Sequence, residues 1–104
     1  MEVKKLEFPQ EGDYYLKNIL EKREKGVNVQ CGSVRLTKGE VLPFKTLDLH
    51  EVAYLISGKL EVSTEDGQKS IMNEGDLIYL NKDEVRRTET LENSLILFFL
   101  FTET

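Results

Sequence analysis

The sequence predicts an all-β domain, a sandwich or barrel built from about eight short strands. Three observations predict it. From Val27 onward, apolar residues recur with a period of two in short runs. Turn signals built on glycine, asparagine and aspartate separate these runs at roughly 8–12-residue spacing. No helical pattern alternates with the runs, which removes the parallel-sheet architectures.

The elements follow in order. Residues 1–12 scatter charge around Val3, Leu6 and Phe8, then Pro9 and Gly12 break the pattern, as in a short arm or an edge strand. Asp13–Lys25 carries the only helix signals. Asp13 suits an N-cap, Leu16, Ile19 and Leu20 share one side, Lys17–Glu21 and Glu21–Lys25 lie four apart, and Gly26 suits a helix end. Tyr14 and Tyr15 fit a strand as well, so a helical turn within an irregular lead-in is expected. Val27, Val29 and Cys31 alternate with polar residues. Val34 and Leu36 then resume in the opposite phase, which predicts a β-bulge at Gly32-Ser33.

Thr37–Glu40 reads as a turn around Gly39, and Val41–Leu49 as a strand region broken by Pro43. Glu51–Ile56 is apolar on both faces: Ala53 and Leu55 share the side of Glu51, while Val52, Tyr54 and Ile56 take the other. Such a strand needs cover on both faces, and a second subunit supplies the outer cover, so a homodimer is expected. Lys59–Thr64 alternates cleanly into Asp66-Gly67, a hairpin signal whose two-residue loop sets Val62 opposite Ile71. A turn at Glu74-Gly75-Asp76 precedes the strand Leu77–Leu80, and Asn81–Glu84 turns into a mostly polar strand, Val85–Thr90. Leu91–Ser94 reads as a turn and Leu95–Phe101 as a last, two-faced apolar strand.

Composition bounds the function. The 104 residues make one domain, divided here into a lead-in (1–26) packed on a barrel (27–104). A net charge of −5 excludes nucleic acid, which needs a basic footprint, and an anionic membrane surface. The opening MEVKKLEFPQ lacks the apolar core of a signal peptide, and Leu95–Phe101 is too short to span a bilayer. A single cysteine, Cys31, forms no internal disulfide, and cytoplasm is the expected compartment. Cys31 continues its strand's apolar alternation and reads as a structural thiol.

The stretch from Gly39 to Arg86 resembles the two motifs of the cupins, the small jelly-roll (double-stranded β-helix) barrels. Gly39 opens the first motif, Glu51 holds its glutamate position, and Gly58 closes it after six residues. Gly75-Asp76 opens the second, with Leu77–Leu80 as its strand. Asn81 and Asp83 stand in place of its proline and glycine, and Arg86 in place of its histidine. Within the cupins, FKTLDLHEVAYLISGKLEV is similar to a segment of the EutQ-like ethanolamine-utilisation group, through Phe44, Leu47, Glu51, Tyr54 and Gly58.

The resemblance implies a metal site that these residues do not supply. A metallocupin uses three histidines and one glutamate. The histidine positions here hold Lys45 and Leu47, or Phe44 and Thr46, together with Arg86. None ligates a transition metal, so no metal and no other cofactor is expected. His50, beside Glu51 on an extended strand, points to the opposite face and reads as a surface or interface residue. The motif positions instead set Arg86 and Lys45 around Glu51, and a Glu51–Arg86 ion pair would relieve a buried carboxylate.

Three functions fit. The first is a metal-independent binding or accessory protein of bacterial metabolism. Its ligand is a small carboxylate or sugar-like metabolite, held by Glu51, Arg86, Lys45, Leu47 and Leu55. The second is a cupin-type isomerase or lyase with Glu51 as the catalytic acid or base. The third is a dimer with a filled barrel and no ligand. The first ranks ahead of the third, and both ahead of the enzyme, because the usual catalytic set is missing.

Overall fold

The computed structural model describes residues 1–102, and within them it contains seven strands and no helix. They are β1 (Leu16–Glu24), β2 (Val27–Leu36), β3 (Val41–Lys45), β4 (His50–Thr64), β5 (Lys69–Asn73), β6 (Leu77–Leu80) and β7 (Arg86–Phe101). All pairings are antiparallel, in the order β1-β2-β7-β4-β5, with β3 also on β7 and β6 also on β4.

The two long strands make the barrel. One end of the β4–β7 ladder pairs outward with β2 and β6, the other with β3 and β5. Between these halves the ladder slips three times, between Leu55 and Lys59–Leu60 on β4. Bulges there bend both strands round the corner. Gly58 sits in this bend at φ +104°, and a Cβ on it would run into the Asn93 carbonyl and Ser94. The expected turn at Leu91–Ser94 is therefore no break. β7 runs unbroken for 16 residues and bends there, so seven strands replace about eight.

The lead-in differs from expectation. β1 is a strand paired along β2 and contains no helical turn. A bulge between Asn18 and Leu20 explains the helical appearance of its sequence. One inserted residue turns a period of two into the spacing of Leu16, Ile19 and Leu20, which imitates a helical face. Upstream, the Glu7 carbonyl accepts from Ser33 Oγ and the Pro9 carbonyl from Arg35 Nε, each at 2.5 Å, tying the arm to β2.

The bulge expected at Gly32-Ser33 lies on β1 instead. The β2–β7 register runs through Gly32 without a shift. Gly32 faces inward with Val34 and Leu36, and a Cβ there would stand 2.5 Å from both the Lys17 carbonyl oxygen and Phe98 Cζ. Its missing side chain makes room for Phe98.

The hairpin after β4 also closes differently. Thr64 N–H donates to the Gln68 carbonyl, and Gly67 N–H to that of Thr64, so the loop has three residues, Glu65-Asp66-Gly67. Val62 faces Ser70, and Leu60 faces Met72. This one-residue slip sends Met72 into the core and leaves Ile71 exposed.

The core joins Val34, Leu36, Ala53, Leu55, Leu60, Val62, Met72, Ile96 and Phe98. The outer face of the first half is also apolar. Register aligns Leu20, Cys31, Phe99, Val52 and Tyr79 in one row across β1, β2, β7, β4 and β6. Leu97, Tyr54 and Leu77 form the adjoining row. Tyr54, Leu77, Tyr79 and Phe99 keep 37%, 67%, 53% and 38% of their surface in water.

Candidate functional site

The interior of the barrel holds a cavity of about 110 Å³. Its wall is mostly aliphatic and aromatic, including Leu16, Val34, Leu60, Ile78, Phe98 and Leu100. Polar side chains in it are confined to Tyr15, Lys45, Glu51, Arg86 and Thr88. Pro43 and Lys45 are the solvent-exposed members of this wall, and Leu47 is half-buried, which puts the mouth at β3 and the segment after it.

Topology assembles the polar end. Glu51 lies near the start of β4, inward by the same alternation that points Ala53 and Leu55 into the core. Arg86 begins β7 and pairs in register with Lys45 on β3 and Thr64 on β4. Thus 35 residues of chain separate two groups that meet: Arg86 Nη2 donates to Glu51 Oε1 at 2.5 Å. The contact is single rather than bidentate. Arg86 is only 4% exposed, and its other terminal nitrogen, Nη1, is buried with no hydrogen-bond partner. An unmet buried donor costs about 1–3 kcal/mol, and more when the group is charged.

Burial pushes the Glu51 carboxyl above the usual carboxylate range, and the positive charges of Arg86 and then Lys45 restrain that rise. The folded chain therefore holds this proton more tightly than the unfolded chain. The stability so gained is complete below the unfolded value near 4.5 and is lost as pH rises through the folded value. The stability of the wild type minus that of Glu51→Gln is expected to grow as pH falls from 7 toward 4.5, measured by urea titration at each pH.

The sequence-based candidates divide. Glu51, Arg86, Lys45 and Leu47 all line the cavity. Leu55 does not: it is fully buried in the core cluster, because the β4 bulges begin just after it and turn the strand away. Thr88 and Tyr15 were not foreseen. Thr88 lies two residues beyond Arg86, so a period of two carried from Arg86 could have found it. Tyr15 precedes β1, and nothing in the lead-in sequence points it at the barrel.

His50 does point away from Glu51, but it is buried rather than at the surface. Lys82 N–H donates to its Nδ1 at 3.2 Å, which makes that nitrogen an acceptor and the Tyr79 hydroxyl, 3.1 Å away, a second donor. Phe101 packs on the ring with centroids 5.5 Å apart. His50 thus anchors the turn between β6 and β7. Cys31 pairs with Phe99 and His50 with Phe101, on opposite flanks of β7, so they form no nucleophilic dyad. Burial raises the Cys31 thiol, which further disfavours a thiolate.

Residues 23–95 match the EutQ-like cupin domain family. The chain belongs to that family.

Solved structures agree with the cupin barrel. A conserved protein of unknown function from Streptococcus pyogenes superposes with a TM-score of 0.76 at 13% identity, over 91% of this chain and 79% of that one. The EutQ protein of Clostridium difficile gives 0.71 at 22% identity, over 84% of this chain and 66% of that one, just under two thirds of its length. An RmlC-like cupin with a double-stranded β-helix fold from Methanocaldococcus jannaschii gives 0.73 at 17% identity, over 99% and 90%. No curated protein matches the chain.

Many cupins carry a metal at the position of Glu51, and the residues of this barrel do not fit one. Glu51 is the only ligand-type side chain at that position, and a guanidinium rather than an imidazole stands against its oxygen. Among the described residues, no three His, Cys, Asp or Glu side chains cluster to hold an ion. No helix among them is long and apolar enough to cross a membrane.

Proposed function

We propose that this EutQ-like cupin binds a small anionic metabolite inside its barrel without a metal, as a binding or accessory protein. The observation that carries this reading is the buried Arg86, which lines the cavity beside Glu51 and whose Nη1 has no hydrogen-bond partner. A fixed guanidinium with a free donor suits a carboxylate, which accepts in the plane of the fork. Lys45 at the mouth adds a second positive charge that steers anions inward. The cavity itself weighs against a filled, ligand-free barrel. The test is calorimetric titration of the full chain with a panel of small carboxylates. Micromolar to millimolar binding to the wild type, weakened at least about tenfold in Arg86→Met, is expected from the loss of a charge-assisted hydrogen bond. Equal binding by both proteins would refute the role of Arg86.

A second reading, an acid–base enzyme, is favoured by the raised Glu51 carboxyl alone. A proton-holding glutamate beside a substrate-binding arginine is the minimum for proton transfer in an isomerase or lyase. Turnover that disappears in Glu51→Gln while ligand binding persists would establish it.

We also propose that the apolar outer face pairs two copies of the chain. The two exposed rows that hold Tyr54, Tyr79 and Phe99 are more aromatic and more contiguous than scattered surface residues require. Light scattering is expected to give twice the 12.0 kDa chain mass, and Tyr54→Lys with Phe99→Lys to give a folded monomer or insoluble protein. A wild-type monomer would refute it.

A further inference from the structure

From the shape and lining of the barrel we infer that the ligand is a short-chain monocarboxylate with an apolar tail, taken up together with one proton shared between its carboxylate and Glu51. This rests on the anion-binding reading above and narrows it.

Size sets the first limit. An engineered apolar cavity of about 150 Å³ takes benzene, so the 110 Å³ here takes roughly five or six heavy atoms. That fits an acid of the butyrate or isobutyrate class. A hexose or uronic acid has about twice as many, so about half of it would have to lie outside the cavity at the mouth.

Lining sets the second limit. The charged groups of the wall, Lys45, Glu51 and Arg86, lie together, and the remainder is aliphatic or aromatic carbon apart from Thr88 and Tyr15. A polyol would leave hydroxyls without partners along that wall, at a cost no single contact recovers. A molecule with one charged end and a hydrocarbon remainder leaves none. Its carboxylate lies at the Glu51–Arg86 pair, where a small shift of the guanidinium would open Nη1 to it, and its tail lies among Val34, Ile78, Phe98 and Leu100.

Charge sets the third limit. The guanidinium already holds Glu51 Oε1 through Nη2. A ligand carboxylate on Nη1 would be the second carboxyl group on one guanidinium. Two carboxylates that share a site do not both ionise; one proton is kept between them. The charged groups that line the cavity with Glu51 are Arg86 from β7 and Lys45 from β3, and Tyr15 joins the wall from the lead-in. β5 and β6 contribute only Met72, Ile78 and Leu80 there. Lys45 is exposed at the mouth, so solvent screens its charge and it does not replace the proton.

The bound state then carries one more proton than the free protein and the free anion wherever Glu51 starts ionised. Affinity falls as pH rises, by up to about tenfold per pH unit.

The experiment is calorimetry of the wild-type chain with sodium butyrate and isobutyrate at pH 7.0 and 8.0. Each titration is repeated in two buffers of different ionisation enthalpy, with glycerate and glucuronate as hydrophilic comparators. The expected result is binding of the apolar acids at least tenfold tighter than the comparators, uptake of up to one proton, and weaker binding at pH 8.0. Glu51→Gln should abolish the proton uptake and flatten the pH dependence. Butyrate binding without proton uptake in the wild type would overturn the shared proton, and needs no variant to be folded. Equal or better binding of the hydrophilic acids would overturn the apolar tail while the anion reading stands. No binding of any carboxylate would overturn both.

Discussion

Glu51→Leu is expected to destabilise the fold by about 3–5 kcal/mol, because it strands Arg86 as a buried, unpaired cation. For a domain of this size that lowers Tm by more than about 12 °C. The partner change is expected to cost less. Arg86→Met strands a carboxyl that can neutralise itself by keeping its proton, whereas a guanidinium cannot. The asymmetry has a second consequence. The cost of Arg86→Met should grow with pH, and that of Glu51→Leu should not. Combining the two changes removes both polar groups from an apolar wall. The double variant is expected within about 1 kcal/mol of the wild type, or above it, since buried ion pairs are often matched by hydrophobic replacements. A double-mutant cycle in urea checks all four proteins. If the single losses simply add, the coupling inferred from the 2.5 Å contact is wrong.

Gly58→Ala is the other large effect expected. Two penalties combine at one site. A backbone at φ +104° suits no L side chain, at about 1–3 kcal/mol. The added Cβ also meets the Asn93 carbonyl and Ser94, which belong to the facing bend of β7 and have no free direction of retreat. Overpacking of this kind costs about 1–3 kcal/mol more. A loss of roughly 3–5 kcal/mol follows, or failure to fold. Gly75→Ala is the control. Its φ is +91°, but nothing lies within 4 Å of the new Cβ, so only the backbone penalty of about 1 kcal/mol remains. Thermal melts of the two variants side by side should separate them by 10 °C or more, roughly what the difference in cost implies. Equal melts would mean that the corner is not the constraint described.

The bend at Gly58 also shows where sequence patterns stop. The hydrophobic alternation made the all-β class legible, and the glycine framework with Glu51 and Arg86 made the barrel legible. Alternation is local: the next side chain along a strand faces the other way whatever the strand pairs with. It therefore placed Glu51 inward and His50 outward without knowledge of any neighbour. The turn residues Glu74-Gly75-Asp76 and the apolar run after them likewise foresaw the turn at Gly75 and the strand at Leu77–Leu80.

Four features were decided only by the pairing of distant strands. The bulge in β1 gave Leu16, Ile19 and Leu20 a helical spacing that only the partner strand β2 unmasks. The apparent phase slip at Gly32 joins an outward apolar run ending at Cys31, which aligns with Phe99, to an inward run from Val34, while Phe98, 66 residues away in the chain, fills the space at Gly32 itself. A three-residue loop instead of two exchanged Met72 for Ile71 in the core. The unpaired nitrogen of Arg86 depends on how far β4 and β7 bring their ends together. The local pattern of the chain thus specified which residues face inward. The register between strands, set by loop length, bulges and volumes across the barrel, specified what they meet. The buried arginine with an unpaired nitrogen beside an apolar cavity is a property of those meetings, and no stretch of the sequence contains it alone.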